Sequence, residues 1–249
     1  MKGVILAGGS GTRLHPLTRI TNKHLLPVYD RPMINWAIKT VVDAGIGEIM
    51  LVTGGTHAGE FLRLLGNGNE FGIDRLSYAY QEKPGGIAEA LGLAEKFVGG
   101  DDVLVMLADN IVEYSIAKPV ANFLNDPTGA RLLLSEVKDA SHLKHLGVPE
   151  FGANDTIIKI IEKPESPPSN FCVTGIYMYE ASVFEIIKTL KPSNRGELEI
   201  TDVNNHFVDN SSVKFDILPG YWGDGGESIE AFWEVNDFVR ENGAVKIIL

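Results

Sequence analysis

MKGVILAGGSGTRLHPLTRITNKHLLP, residues 1–27, is the stretch on which the reading of the whole chain turns. Residues 3–7, Gly-Val-Ile-Leu-Ala, form a short apolar run of the kind that makes a strand buried on both faces. The run breaks at Gly8, Gly9, Ser10 and Gly11. A chain so poor in Cβ atoms can turn sharply and let a ligand lie against its backbone. Successive bare N–H groups in such a turn form a concave anion site, more so where a helix begins just after. Thr12 and Arg13 follow at once and Lys23 comes later, so two cations stand near a phosphate-shaped cradle. The combination predicts polyphosphate chemistry. The bland alternative is a glycine turn that merely joins strand to helix.

The stretch fits neither common glycine fingerprint. The dinucleotide pattern G-x-G-x-x-G fails because Leu14 stands where its last glycine belongs, and the P-loop pattern fails because position 13 is arginine. A nucleotide site here is therefore of another kind.

Working outward, residues 33–42 recur at helical spacing and stop at Gly45. Residues 49–53 and 76–80 read as strands, with a short helix over 61–65 between them. Residues 103–107, Val-Leu-Val-Met-Leu, are the most convincing central strand, and Asp109 follows it. A carboxylate at the carboxyl end of a central parallel strand lies where open α/β sheets bind ligands, and it is a hard oxygen donor suited to Mg²⁺. A helix near 116–124, strands near 131–137 and 157–161, a helix opened by Gly196 to Glu199, an amphipathic helix from Glu230 to Phe238 and an end strand over 245–248 complete the reading. Strands alternating with helices predict an α/β fold with a doubly wound, mostly parallel sheet. One domain over 1–249 is expected, with a nucleotide half near 1–107 and a second half near 108–249.

The 249 residues can bury a sizeable core, and 44% hydrophobic with 22% charged residues is an ordinary globular balance. The net charge of −11 argues against nucleic-acid and acidic-membrane partners. An acidic chain that handles anions must gather its cations locally, which draws attention to Arg13, Lys23, Lys163 and Arg195. The lone Cys172 excludes an internal disulfide and suits a reducing compartment. No apolar run is long enough to span a bilayer and no leader is read, so a cytoplasmic protein is expected.

The run L-A-G-G-S-G-T-R-L with Lys23-His24-Leu25-Leu26-Pro27 resembles the sugar-1-phosphate nucleotidylyltransferases, and within them most closely the short form of the glucose-1-phosphate thymidylyltransferases. Further stretches extend the resemblance over nearly the whole chain: Ala108-Asp109-Asn110, Leu146-Gly147-Val148, Glu162-Lys163-Pro164, Val173-Thr174-Gly175-Ile176-Tyr177, and the most specific block, Lys191-Pro192-Ser193-Asn194-Arg195-Gly196-Glu197-Leu198-Glu199-Ile200-Thr201-Asp202-Val203-Asn204. Trp222, Asp224 and Gly226 match the last motif. The chain departs from the family pattern at Glu89, where glutamine is expected, at Ala108 for glycine, and at Glu227 for threonine.

The resemblance implies a Rossmann-like sheet carrying an inserted sugar-binding lobe, and Mg²⁺-dependent transfer from dTTP to glucose 1-phosphate on the way to dTDP-deoxysugars such as rhamnose. It implies catalytic roles for Arg13, Lys23, Asp109 and Asp224, the two aspartates holding the metal. It implies nucleotide contacts from Leu6, Gly8, Gly9, Ser10, Gly11, Thr12, Arg13, Gln81 and Gly86. Sugar-phosphate contacts fall to Gly147, Glu162, Lys163, Val173, Tyr177 and Arg195. Gln81 can read a base through its amide, which donates and accepts. Arg195 offers a fork for bidentate phosphate contact. UTP as donor, a non-catalytic nucleotide-binding regulator, and assembly into a homo-oligomer all stay open.

Overall fold

The apolar amino-terminal run becomes β1 (Lys2–Ala7), and what surrounds it explains why its side chains from Val4 to Ala7 are all apolar. Val4 and Leu6 pack into one core cluster, Ile5 and Ala7 into another on the opposite face. Successive side chains of a strand point to opposite faces, so a strand with helices on both sides must be apolar throughout. The computed structural model describes residues 1–247 of the chain.

In chain order, the small strands β2 (Pro27–Val28) and β3 (Arg31–Pro32) lead to α1 (Met33–Asp43), β4 (Glu48–Gly54), α2 (Ala58–Leu65) and β5 (Arg75–Gln81). There follow α3 (Ile87–Gly92), α4 (Glu95–Val98), β6 (Val103–Leu107), β7 (Asn110–Val112), α5 (Ala117–Asn125), β8 (Ala130–Glu136) and α6 (Ala140–Leu143). The chain ends through β9 (Gly147–Phe151), β10 (Ile157–Glu162), β11 (Phe171–Tyr179), α7 (Val183–Thr189), α8 (Ile200–Asp209), β12 (Val213–Ile217), β13 (Trp222–Asp224) and α9 (Ile229–Asn242).

The main sheet runs β10-β9-β11-β6-β1-β4-β5, with β8 and β12 attached through β11. Its first half, β6-β1-β4-β5, is wholly parallel, and β12 also joins β8 in parallel. The second half enters through β11, which runs antiparallel to β6, β8 and β9. Side chains from α1, α5 and α9 fill the core on one face, and those from α3, α7 and α8 fill the other. The expected doubly wound α/β fold is the one observed. A separate two-stranded ribbon pairs β7 with β13 antiparallel and sets Asp224 opposite Asn110. Among the described residues no helix is long and apolar enough to cross a membrane.

Two sequence expectations are corrected. Gly196, Glu197 and Leu198 do not open a helix: α8 starts at Ile200 with Glu199 as its amino-terminal cap. The physical reason is that Arg195 and Ser193 draw the Glu199 carboxylate back over the preceding turn. The end strand expected over 245–248 reduces to one bridge between Tyr114 and Lys246, and Ile248 lies outside the described residues.

Candidate active site

The carboxyl ends of the strands open on a cleft of about 310 Å³. The turn after β1 contributes Gly8, Gly9 and Arg13, and Leu6 stands beneath them. Arg13 sits in a single helical turn and is exposed; among the described residues no carboxylate is within ion-pair reach of it. Ser10 and Thr12 are exposed at the rim with their hydroxyls 3.5 Å apart, and with Gly11 they lie outside the cleft wall.

Asp109 follows β6 and is 6% exposed. Its Oδ2 accepts from the Lys23 ammonium, and its Oδ1 accepts from Asn110 Nδ2 at 3.1 Å. His24 Nε2 lies 3.9 Å from the same Oδ2. Burial works against the Asp109 charge, but Lys23 and His24 outweigh it and hold the carboxyl well below the usual range. Burial likewise opposes charge on Lys23, and the Asp109 and Asp224 carboxylates more than restore it. Burial holds His24 low, with the neighbouring Lys23 charge acting the same way.

Asp224 reaches this place through the β7–β13 ribbon. Gly225 N donates to the Asp109 carbonyl at 2.9 Å, and Gly226 N donates to Asp224 Oδ1 at 2.8 Å. The turn needs glycine at 226 because a Cβ there would stand 2.5 Å from Asp109 Oδ2 and 2.7 Å from Lys23 Nζ. Burial first, and the Asp109 charge second, push the Asp224 carboxyl up to about 7. Buried Asp109 and half-buried Asp224, the first opposing ionisation of the second and both acting on the charge of Lys23, form an oxygen donor set that suits a hard divalent cation. Among the described residues no third acid or histidine completes the set. Mg²⁺ commonly takes one or two carboxylates and fills the rest of its shell with phosphates and water, so the residues fit that ion.

Gln81 closes β5 at the cleft wall and is 6% exposed. Gly86 follows with φ of +103°, and a Cβ on it would stand 2.4 Å from the Leu198 carbonyl oxygen. Only glycine lets the turn dock on residues 196–199 in that conformation.

The second half of the sheet lines the same cleft. Gly147 and Glu162 face one another in the β9–β10 hairpin. Lys163 follows with φ of +48°, its N–H donating to the Leu146 carbonyl at 2.9 Å and its ammonium 3.6 Å from Glu162. Val173 and Tyr177 project from β11 into the wall. The Arg195 guanidinium grips Glu199 through Nη2, at 3.0 and 2.9 Å, and lies 3.8 Å from Glu162 and 3.7 Å from Glu197. Burial opposes its charge, and the bonds to Glu199 with the surrounding acids raise its pKa.

The structure adds residues that sequence reading passed over. Asn110 Oδ1 accepts from Trp222 Nε1 at 2.7 Å and from Gly175 N at 2.8 Å, so it ties β13 and β11 to the back of Asp109. Thr201 Oγ1 donates to Glu162 Oε2 at 2.7 Å, and His145 and Asn204 also line the cleft. The Asp-Asn pair, Gly175, Thr201, Asn204 and Trp222 all lie in stretches visible as motifs, though none of these but Asp109 is given a site role by the sequence; His145 carries no local signal. Of the three departures from the family pattern, Ala108 is fully buried in the core and touches no cleft wall, and Glu227 lines a neighbouring cavity. Glu89 bonds to Gln81.

A family model described as nucleotidyl transferase matches residues 2–242. A glucose-1-phosphate thymidylyltransferase of Neisseria meningitidis serogroup A is 42% identical over 243 residues, covering 96% of this chain and 83% of that protein. A Bacillus anthracis crystal structure, described as a candidate glucose-1-phosphate thymidylyltransferase in complex with a sucrose, superposes with a TM-score of 0.91 at 46% identity, over 97% of this chain and 96% of that one. A UDP-glucose pyrophosphorylase complexed with UDP-glucose superposes with a TM-score of 0.82 at 25% identity, over 96% of this chain and 98% of that one.

Proposed function

The chain belongs to the nucleotidyl transferase family, and from that premise we propose that it transfers a thymidylyl group from dTTP to glucose 1-phosphate, giving dTDP-glucose and pyrophosphate. One observation carries the reading. Two cation pairs, Arg13 with Lys23 and Lys163 with Arg195, come from opposite halves of the sheet and open on one cleft that also holds Asp109 and Asp224. A cleft that must gather a triphosphate and a second phosphate needs that charge arrangement in an acidic protein.

The reaction leaves little covalent work to the protein, so positioning and neutralisation of charge carry it. A phosphate oxygen of the sugar phosphate attacks the α-phosphorus as the bond to the leaving pyrophosphate breaks. Backbone N–H groups of the turn after β1 cradle the triphosphate, and Arg13 meets the charge growing on the pyrophosphate. Lys23, braced by Asp109, stands at the α-phosphate. Lys163 and Arg195 clamp the attacking phosphate, and Glu162 accepts from sugar hydroxyls. Asp109 and Asp224 would hold a Mg²⁺ ion, which would supply positive charge to offset the negative charge of the reacting phosphates. No side-chain nucleophile is called for, because the sugar phosphate is already one. The names of the Neisseria and Bacillus relatives support thymidine over uridine, and the product would feed a deoxysugar route such as that to rhamnose.

Pyrophosphate release across a grid of nucleoside triphosphates and sugar 1-phosphates tests the proposal. The highest kcat/KM is expected for dTTP with glucose 1-phosphate. A higher value for UTP would move the assignment to a uridylyltransferase, and no release from any pair would make the chain a binder without chemistry.

A further inference from the structure

The Asn204 amide has one end tied into the core and the other on the cleft. Asn204 stands on α8, is 1% exposed and lines the cleft. The Tyr179 hydroxyl donates to its Oδ1 at 2.6 Å. Tyr179 is fully buried, and burial pushes its pKa well up, so the hydroxyl keeps its proton. That proton has no other acceptor among the described residues. Turning the amide over would set Nδ2 against the tyrosine oxygen and leave the phenolic proton in the core without a partner. Asn204 Oδ1 is thereby committed to Tyr179, and Nδ2 to the other side.

Asn204 Nδ2 has no partner among the described residues, yet it is not sealed in the core as the unpartnered Asn35 Oδ1 and Thr53 Oγ1 are. Its accessible face is therefore that of the cleft. The frame around the amide is fixed. The Tyr179 ring stacks with Tyr177 and with Phe207, centroids 5.9 and 5.7 Å away. Asn205, the next residue, pairs with both backbone groups of Ile160 at 2.8 Å and fastens α8 to β10. Thr201, one helical turn earlier, holds the Glu162 carboxylate. The packing of α8 on β10 thus brings to one cleft an amide end that only donates and a carboxylate that only accepts.

We infer that Asn204 is a specificity-determining residue that donates through Nδ2 to one hydroxyl of the hexose 1-phosphate, with Tyr179 as the positioning residue behind it. The inference rests on the reading of the cleft as a sugar 1-phosphate site. A hydroxyl accepts the amide proton and still has its own to give to a carboxylate. A sugar with hydrogen at that carbon leaves the amide proton unpaired, and one with an ammonium group there sets a cation against a donor. A buried polar group left without its partner is what gives a site strong discrimination.

The test compares glucose 1-phosphate with its 2-, 3-, 4- and 6-deoxy analogues. Calorimetric binding, and pyrophosphate release with dTTP, are measured on wild type, Asn204→Asp and Tyr179→Phe. Asn204→Asp keeps the acceptor for Tyr179 and replaces the cleft-facing donor by an oxygen. Tyr179→Phe keeps the ring and frees the amide to turn; it carries the test if thermal melts show that Asn204→Asp does not fold. In wild type one deoxy analogue is expected to bind about tenfold more weakly than glucose 1-phosphate, on the scale of one lost hydrogen bond. That penalty is expected to vanish in Asn204→Asp and to shrink in Tyr179→Phe, as KM for glucose 1-phosphate rises and KM for dTTP stays put. Turnover of glucose 1-phosphate with all four deoxy penalties unchanged in both variants overturns the inference and leaves the transferase reading standing. A penalty lost in Asn204→Asp but whole in Tyr179→Phe overturns the role given to Tyr179. A binding penalty lost in the variants of a protein without turnover supports the inference and removes the transferase. If wild type binds none of the sugar phosphates, both fall.

Discussion

The ammonium of Lys23 rests on the carboxylate of Asp109, joining the turn after β1 to the end of β6 across 86 positions of sequence. Both side chains are largely buried, at 12% and 9% exposure. Breaking a buried pair by removing one partner strands the other charge, which costs roughly 3–5 kcal/mol. Lys23→Met is therefore expected to lower the unfolding free energy read from denaturant titration by that order. Lys23→Met with Asp109→Asn should cost clearly less than the two single changes added together, because the stranded charge is gone. Additive losses in the cycle would show that the pair is not coupled.

Asp224 gives the opposite sign. Its carboxyl is pushed up to about 7 by burial and by the Asp109 charge, so its ionised form strains the apo protein. Asp224→Asn is expected to raise the melting temperature in metal-free buffer while cutting Mg²⁺-dependent turnover strongly. A variant that loses stability, or keeps full turnover with Mg²⁺ still required, would refute the assignment.

Lys163 and Arg195 come from separate stretches and meet at Glu162. Removing either is expected to raise KM for the sugar phosphate at least about tenfold, on the scale of one charge-assisted phosphate contact, with little change in KM for dTTP. Glu199→Ala, which releases the Arg195 guanidinium from its grip, should act in the same direction but less. A loss falling mainly on dTTP would place these cations at the other phosphate.

Cys172 is fully buried, and burial pushes its thiol up to about 12. The folded chain thus holds the thiol proton more tightly than the unfolded one. Its contribution to stability is whole below the ordinary thiol value of about 8.5 and is lost as pH climbs toward about 12. At pH 8 a disulfide reagent is expected to modify Cys172 only as fast as the protein unfolds. Rapid labelling in native buffer would contradict this.

The strands were legible because burial on both faces leaves an unambiguous mark. Residues 103–107 were read as the central strand and β6 spans those residues. The glycine turn and its cations announced themselves for a similar reason: few sequences need so little Cβ beside a strand. What could not be read was anything made by register between distant segments. Asp224 stands opposite Asn110 only because β13 pairs with β7, and no local pattern encodes that pairing. The acids near Arg195 were read as the first turn of a helix from their spacing. In the structure Glu199 stands just before the helix, and its carboxylate holds the arginine in place of capping the first turn. Glu89 looked like a departure from pattern, and its bond to Gln81 shows only in the structure.

Arg13 tests the central claim, that this cleft performs transfer and does not only bind. Its guanidinium lines the cleft beside the glycine turn. During transfer, charge grows on the departing pyrophosphate, and only interaction gained in the transition state speeds the reaction. The measurement is kcat for pyrophosphate release from dTTP and glucose 1-phosphate, wild type against Arg13→Ala, with dTTP affinity taken by calorimetry on the same samples. The account predicts a fall in kcat of about 10²-fold or more, in the range found when one preorganised donor is lost, with dTTP binding weakened far less. A wild type that binds dTTP yet releases no pyrophosphate, or a variant whose whole loss lies in dTTP binding, would contradict it.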